Sequence, residues 1–162
     1  MPLAVKSSTH DLDIADKRLL SHLQAHGRAT NVELAEAAHL SESACFRRVR
    51  ALEAEGVITG YAAAVDPRAV GLGLSVFVSI TLASQAQDVL SAFEAAVTEA
   101  PEIMECHLMT GQADYVLRVV AADMDDLERV HATRLTRLPG VARINSSIAL
   151  RTVVRRTALP LR

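Results

Sequence analysis

The residues best equipped for chemistry lie between Ser41 and Gly56, SESACFRRVRALEAEG, where Arg47, Arg48 and Arg50 fall within four positions. Read as a helix at about 100° per residue, Cys45, Val49 and Leu52 share one stripe, while Ser43, Arg47 and Arg50, spaced i, i+4, i+7, take the opposite face. Arg48 falls near the edge of the apolar stripe. Ser41 supplies an N-cap and Gly56 a stop. An aliphatic back and a serine and arginine front suit the major groove of DNA, where guanidinium groups reach guanine edges or phosphates. The plainer reading of the same residues is a solvated basic face on an ordinary helix.

Two other constellations invite a chemical reading. His22 and His26 have the i, i+4 spacing of a two-histidine metal site, but no Glu lies between them and no third ligand is evident, which leaves a solvated or partly buried pair. Cys106 beside His107 would place a thiol next to a base, yet adjacent strand residues point to opposite faces. The sequence has no phosphate-cradling glycine loop, no paired-carboxylate site and no nucleophile with its base. It therefore offers no catalytic or metal-ligating residues, and no cofactor is expected.

The elements that must position the arginines are legible upstream. Asp13 caps a helix running to about His26, with Ala15, Leu19, Leu20 and Leu23 as its buried stripe, and Gly27 ends it. Thr30-Asn31-Val32-Glu33 is a capping box opening a short helix that carries Val32, Leu34, Ala35 and Ala38. His39, Leu40 and Ser41 form the turn into the basic helix. Two short helices joined by such a turn, with a third bracing them, describe a helix-turn-helix. A plain three-helix bundle would not explain why the outward face of the last helix alone is rich in arginine.

Composition sets the outer limits. The 162 residues suffice for one ordinary domain or two small ones. No apolar run approaches the roughly 20 residues of a membrane span, and Met1 to His10 lacks the apolar core of a signal peptide, so a cytoplasmic protein is expected. Cys45 and Cys106 are too few and too far apart for a disulfide framework or a cysteine zinc site. The net charge of −2 argues against a chain coated in basic charge. DNA contact must then come from a local patch, Arg47, Arg48 and Arg50 joined by Arg28, in two copies of the module side by side.

After Gly56 the period changes. Val57 to Val65 reads as extended, and Asp66-Pro67 with Gly71 and Gly73 marks a hinge, dividing the chain into residues 1–65 and 66–162. Leu74 to Leu82 alternates as a strand, with Leu74, Val76, Val78, Ile80 and Leu82 on one face and Phe77 on the other. Asp88 to Glu99 is a helix closed by Pro101. Ile103 to Thr110 and Tyr115 to Val120 form a hairpin across Gly111-Gln112-Ala113-Asp114. A helix over Asp123 to Leu138 and a last strand over Val141 to Val153 follow. The order βαββαβ is that of a ferredoxin-like sandwich, whose helices cover only one face of the sheet. Apolar residues on both faces of the first strand support pairing of the other face with a second copy.

The whole chain resembles the Lrp/AsnC family, the feast/famine regulators, from Leu12-Asp13 to Leu159-Pro160. The matching stretches are LDIADKRLLSHLQAHGR, NVELAEAAHLSESACFRRVRALEAEGVITGY, VDPRAVGLGL, PEIMECHLMTGQADYVLRV and RLPGVARINSSIALRTV. The resemblance implies an α+β chain: an N-terminal winged helix-turn-helix, then a ferredoxin-like ligand-sensing domain. It implies a transcription regulator of double-stranded DNA, dimers that commonly assemble into octamers, and a small effector, usually an amino acid. Carried over by position, the recognition helix is Glu42 to Glu55, with DNA contacts at Ser43, Arg47, Arg48 and Arg50. The effector site maps to Thr110, Gly111, Gln112, Ala113, Asp114 and Tyr115, between neighbouring dimers, with Asn145 and Ser146 as weaker candidates. A tight turn offers backbone N–H groups to an α-carboxylate and Asp114 an acceptor to an α-ammonium, although Gly111 and Asp114 also suit a turn with no ligand. The family often has Asp and Tyr where this chain has Gln112 and Ala113, a departure that bears on the effector's identity. An amino-acid-binding enzyme or regulatory subunit, with the N-terminal helices as a protein-partner module, is the alternative.

Overall fold

Each of the first three helices begins where a side chain closes its free backbone N–H groups. In the computed structural model, which describes residues 11–161, α1 (Ile14–Ala25) starts behind a reciprocal Asp13/Asp16 capping box and α2 (Asn31–Ala38) behind the Thr30/Glu33 box. Ser41 caps α3 (Glu42–Ala54) by accepting from the Ala44 N–H. The backbone N–H of Thr30 donates to Glu33 at 2.7 Å, and this bond leads the causes that hold the Glu33 carboxyl below its ordinary range. Residues 1–10, where no signal peptide is expected, lie outside the described residues. No helix among the described residues is long and apolar enough to cross a membrane.

The chain divides into two units. One comprises the residues up to Ala64 together with those from Val154; the other is Val65–Val153. The stretch from Val154 on thus groups with the helices rather than with the sheet that precedes it, and in it the Leu159 carbonyl accepts from Gln24 Nε2 at 3.2 Å.

In the first unit, Leu19, Leu34, Ala35, Ala38 and Cys45 form the core, with Leu23 and Val49 packed against it. These are the apolar stripes of the three helices turned inward. The turn between α2 and α3 passes through His39 in the left-handed region, φ 58°, where the Leu40 N–H reaches back to the Ala35 carbonyl at 2.8 Å. Asn31 Nδ2 donates to the Glu42 carbonyl at 3.0 Å, tying the starts of the two helices together.

Beyond α3, the expected extended run from Val57 to Val65 is not a strand. The N–H groups of Val57 and Ile58 both turn back to the Leu52 carbonyl, and no strand pairs with this stretch among the described residues. The hinge begins with a short 3-10 turn, Arg68–Val70, whose entry is fixed by Asp66 accepting from the Arg68 N–H at 3.0 Å.

The second unit is a four-stranded antiparallel sheet in the order β2-β3-β1-β4, from β1 (Leu74–Leu82), β2 (Ile103–Leu108), β3 (Tyr115–Ala121) and β4 (Val141–Ile148). α4 (Gln87–Thr98) and α5 (Met124–Thr133) supply the helices of the βαββαβ order. Val76, Val78 and Ile80 of β1 are wholly buried beside Leu117 and Val119 of β3, Phe93 of α4 and Val130 of α5. Phe77, on the opposite side of β1, is 46% exposed.

Three boundaries differ from the sequence expectation by more than one residue. The last helix ends at Thr133 instead of running to Leu138, because Thr133 Oγ1 and Thr136 Oγ1 turn back to the Arg129 and Ala132 carbonyls and a 3-10 turn, Leu135–Arg137, drives Leu135 into the core. β4 ends at Ile148, opposite Val76, and its last bond to β1 runs from the Ala149 N–H to the Ser75 carbonyl at 2.9 Å. β2 ends at Leu108, since Met109 belongs to the hairpin loop, which its N–H closes by donating to the Asp114 carbonyl at 2.8 Å.

Candidate functional site

α3 presents a mixed face to solvent. Ser43, Phe46, Arg47 and Arg50 are all exposed, while Cys45 and Leu52 are buried on the far side. No hydrogen bond or ion pair engages Arg47 among the described residues. Arg50 is held: its Nη1 lies 3.4 Å from Glu53 Oε2, and its guanidinium carbon sits 5.5 Å from the centre of the Phe46 ring. Glu53 accepts in turn from the Tyr61 hydroxyl at 3.0 Å.

The structure separates Arg48 from this group. Its Nη1 stands 2.8 Å from both Asp13 Oδ2 and Asp16 Oδ1 at the start of α1. Two carboxylates flank the guanidinium, so Arg48 ties α3 to the start of α1. The Asp13 carboxyl is held below its ordinary range, first by the Asp16 backbone N–H and then by Arg48. Arg28 also stands apart: it lies in the α1–α2 connection and lines a shallow hollow with His22, His26, Glu33 and Glu36, to which α3 contributes nothing.

The sequence points to Ser43, Arg47, Arg48 and Arg50, with Arg28, and passes over Phe46. The signal was available, because Phe46 stands at i+3 from Ser43 and i−4 from Arg50, on the same side of the helix. Selecting by polarity hid it. Tyr61 was missed for a different reason, since its contact with Glu53 crosses a helix end that spacing rules do not reach.

The second candidate is the hairpin loop. Thr110, Gly111 and Gln112 are exposed and Ala113 partly so, and Gly111 adopts φ 126°, a conformation that favours glycine. Asp114 is different. Its side chain is buried, with Oδ2 accepting from the Leu82 N–H at 2.7 Å and Oδ1 from Gln85 Nε2 at 2.6 Å. Its backbone N–H donates to the Ile80 carbonyl at 2.9 Å. The carboxylate therefore joins β1 to the hairpin, one bond from each oxygen. Tyr115 is 1% exposed, packs against Phe93 and donates to Glu94 Oε1 at 2.8 Å. Burial, with Glu94 next, raises its hydroxyl well above the ordinary range. It is a core residue.

Asn145 and Ser146 face opposite sides of the sheet, as adjacent strand residues do. Asn145 is paired with Ser79 and Ser79 with Val116, which places it on the open face of the sheet. Ser146 is paired with Val78, on the side covered by helices. The same alternation puts Cys106 against the core and His107, 62% exposed at its side chain, on the open face near Glu105. Across that face Glu105 pairs with Arg118 at 2.7 Å. His22 and His26 bring their rings to 4.7 Å, and no group of three His, Cys, Asp or Glu side chains among the described residues is placed to hold a metal ion.

Comparison with known proteins matches both units. A family described as Lrp/AsnC ligand binding domain matches residues 75–159, and one described as winged helix-turn-helix DNA-binding matches residues 12–59. The chain is 42% identical to the Bkd operon transcriptional regulator of Pseudomonas aeruginosa over 93% of its own length and 99% of that protein. It is 45% identical to the leucine-responsive regulatory protein of Salmonella typhimurium over 81% of its length and 80% of that protein. A transcriptional regulator of Neisseria meningitidis, solved as a complex with L-Met, superposes with a TM-score of 0.87 at 38% identity, covering 92% of this chain and 96% of the other.

Proposed function

The chain belongs to the Lrp/AsnC family and is a DNA-binding transcription regulator modulated by a small ligand; on that premise we propose which residues carry each task. The observation that carries the DNA assignment is the exposed face of α3, where Arg47 stands unengaged among the described residues on a chain whose net charge is −2. Ser43, Arg47 and Arg50 enter the major groove and contact guanine edges and phosphates. Arg28 adds a peripheral phosphate contact, and Arg48 supports the helix from behind. Residues 1–65 serve DNA reading, and residues 66–162 serve effector sensing and assembly.

The effector is an amino acid received by Thr110, Gly111, Gln112 and Ala113, whose exposed backbone suits an α-carboxylate. A relative named for leucine and another solved with L-Met support this ligand class. Asp114 and Tyr115 set the shape of the loop from beneath, and its acceptor for the ammonium comes from another copy of the chain. Dimers form through the open face of the sheet, where Phe77 stands exposed, and they assemble further towards an octamer around the hairpin loops. No catalytic role is assigned, and no observation favours the enzyme reading over this one.

The experiment is binding to the DNA upstream of the protein's own gene at a stated salt concentration, with and without each common L-amino acid, for the natural chain and Arg47→Ala. The expected result is a specific complex altered by one amino acid and weakened by the substitution about 5- to 100-fold. Equal affinity of the two proteins would remove Arg47 from the reading face.

A further inference from the structure

The reading face of α3 contains one large side chain that no phosphate or guanine contact explains. Taking Ser43 as the origin, Phe46, Arg47 and Arg50 lie at about −60°, +40° and −20° around the helix, an arc of about 100° opposite Cys45 and Leu52. Phe46 is 54% exposed within that arc. It is not loose there. The Arg50 guanidinium lies over the ring at 5.5 Å, Glu53 holds that guanidinium at 3.4 Å, and Tyr61 holds Glu53 at 3.0 Å. The sequence Tyr61, Glu53, Arg50, Phe46 is a continuous brace whose end is an exposed aromatic ring beside Arg47.

A phenyl ring neither donates nor accepts an ordinary hydrogen bond. In the major groove of B-DNA the apolar feature that distinguishes one base from the others is the C5-methyl of thymine. We propose that Phe46 is a specificity-determining residue that packs against a thymine methyl in each half-site, beside the position contacted by Arg47. A helical turn rises 5.4 Å and base pairs stack about 3.4 Å apart, so the thymine falls within about two base pairs of the Arg47 contact. The brace on Arg50 gives the pair a further property: the guanidinium stacked on the ring is presented in one orientation before DNA arrives, which reduces the side-chain ordering that binding requires. This inference rests on the regulator reading and adds a base to what the helix distinguishes.

The test separates the two. A randomised duplex pool is selected with the full-length protein, and each thymine of the enriched sequence is then replaced singly by deoxyuridine, which removes only the methyl group. For the natural chain one thymine per half-site is expected to lose about fourfold in affinity on losing its methyl, the effect of one buried carbon. Phe46→Ala is expected to bind the thymine and uracil forms equally, with its helical content and assembly state unchanged. Phe46→Leu, which keeps an apolar contact, retains part of the ratio. If no thymine is sensitive to its methyl, or if Phe46→Ala keeps the ratio, Phe46 does not read thymine. A pool that yields no enriched sequence overturns the regulator reading, and this inference falls with it.

Discussion

Arg48 Nη1 donates to Asp16 Oδ1 at 2.8 Å, joining α3 to the first turn of α1 across 32 residues of sequence. An arginine in the middle of a basic run is thereby taken out of the run. Its neighbours at 47 and 50 stand exposed, and it is half-buried between two carboxylates.

Arg48→Ala should therefore act on stability and not on DNA reading. With Arg48 37% exposed, the expected loss is no more than about 1 kcal/mol in urea denaturation. The dependence of DNA affinity on salt should keep its slope, whereas Arg47→Ala should lower that slope by about one. A fallen slope in Arg48→Ala would mean that the guanidinium leaves its carboxylates for a phosphate. The Asp13 carboxyl is depressed in the folded chain, so its contribution is present at neutral pH, persists above the ordinary carboxylate value, and is lost as acid protonates it below that value.

Asp114→Ala should destabilise the sheet unit in the absence of any effector. The substitution leaves the Leu82 N–H and Gln85 without their acceptor in a buried position, at a cost of about 1–3 kcal/mol. Chemical denaturation of the apo protein is the measurement. A substitution that spared apo stability and changed only the response to amino acids would return Asp114 to the effector site.

Cys106 should be a slow nucleophile. Burial, and then the nearby Glu94 charge, push its thiol up to about 11. At pH 8 roughly one thiol in a thousand is then ionised, against about a quarter for an unperturbed cysteine. Alkylation of Cys106 in a Cys45→Ala background should be on the order of 100-fold slower than that of a free thiol. It should also accelerate about tenfold per pH unit until near pH 11. A rate that levels off near pH 8 would contradict this.

Gly140 closes the turn into β4 with φ 74°, and a Cβ placed there would stand 2.5 Å from Val89 Cγ1 on α4. Gly140→Ala should cost about 1–2 kcal/mol from the backbone conformation alone, with the steric clash added. Combining it with Val89→Ala should recover the steric part and leave the conformational part, so a double-mutant cycle should show favourable coupling. Strict additivity would mean that the two sites do not meet.

Whatever depends on neighbours within one or two turns of chain is legible in the pattern of residues. The cap at Asp13, the capping box at Thr30, the inward stripes of the helices and the alternation of LSVFVSITL are all set by residues no more than a few positions apart, and each stands in the structure as read. The order of elements follows from these periods, and with it the helix-turn-helix and the βαββαβ sheet. Where local rules compete, the reading slipped: the Thr133 and Thr136 hydroxyls divert the last helix, and Phe46 was overlooked because polarity was weighed before position.

Tertiary structure alone decided which groups remain available for binding. Arg47 and Arg48 are the same residue type one position apart, and only the approach of α1 commits one and frees the other. Asp114 had the composition of a ligand contact until Leu82 and Gln85 arrived from 32 and 29 residues away to claim both of its oxygens. A residue's type states which bonds it can make, but those bonds compete for the same lone pairs and protons. Which one forms is settled by segments distant in sequence, whose meeting no local spacing encodes.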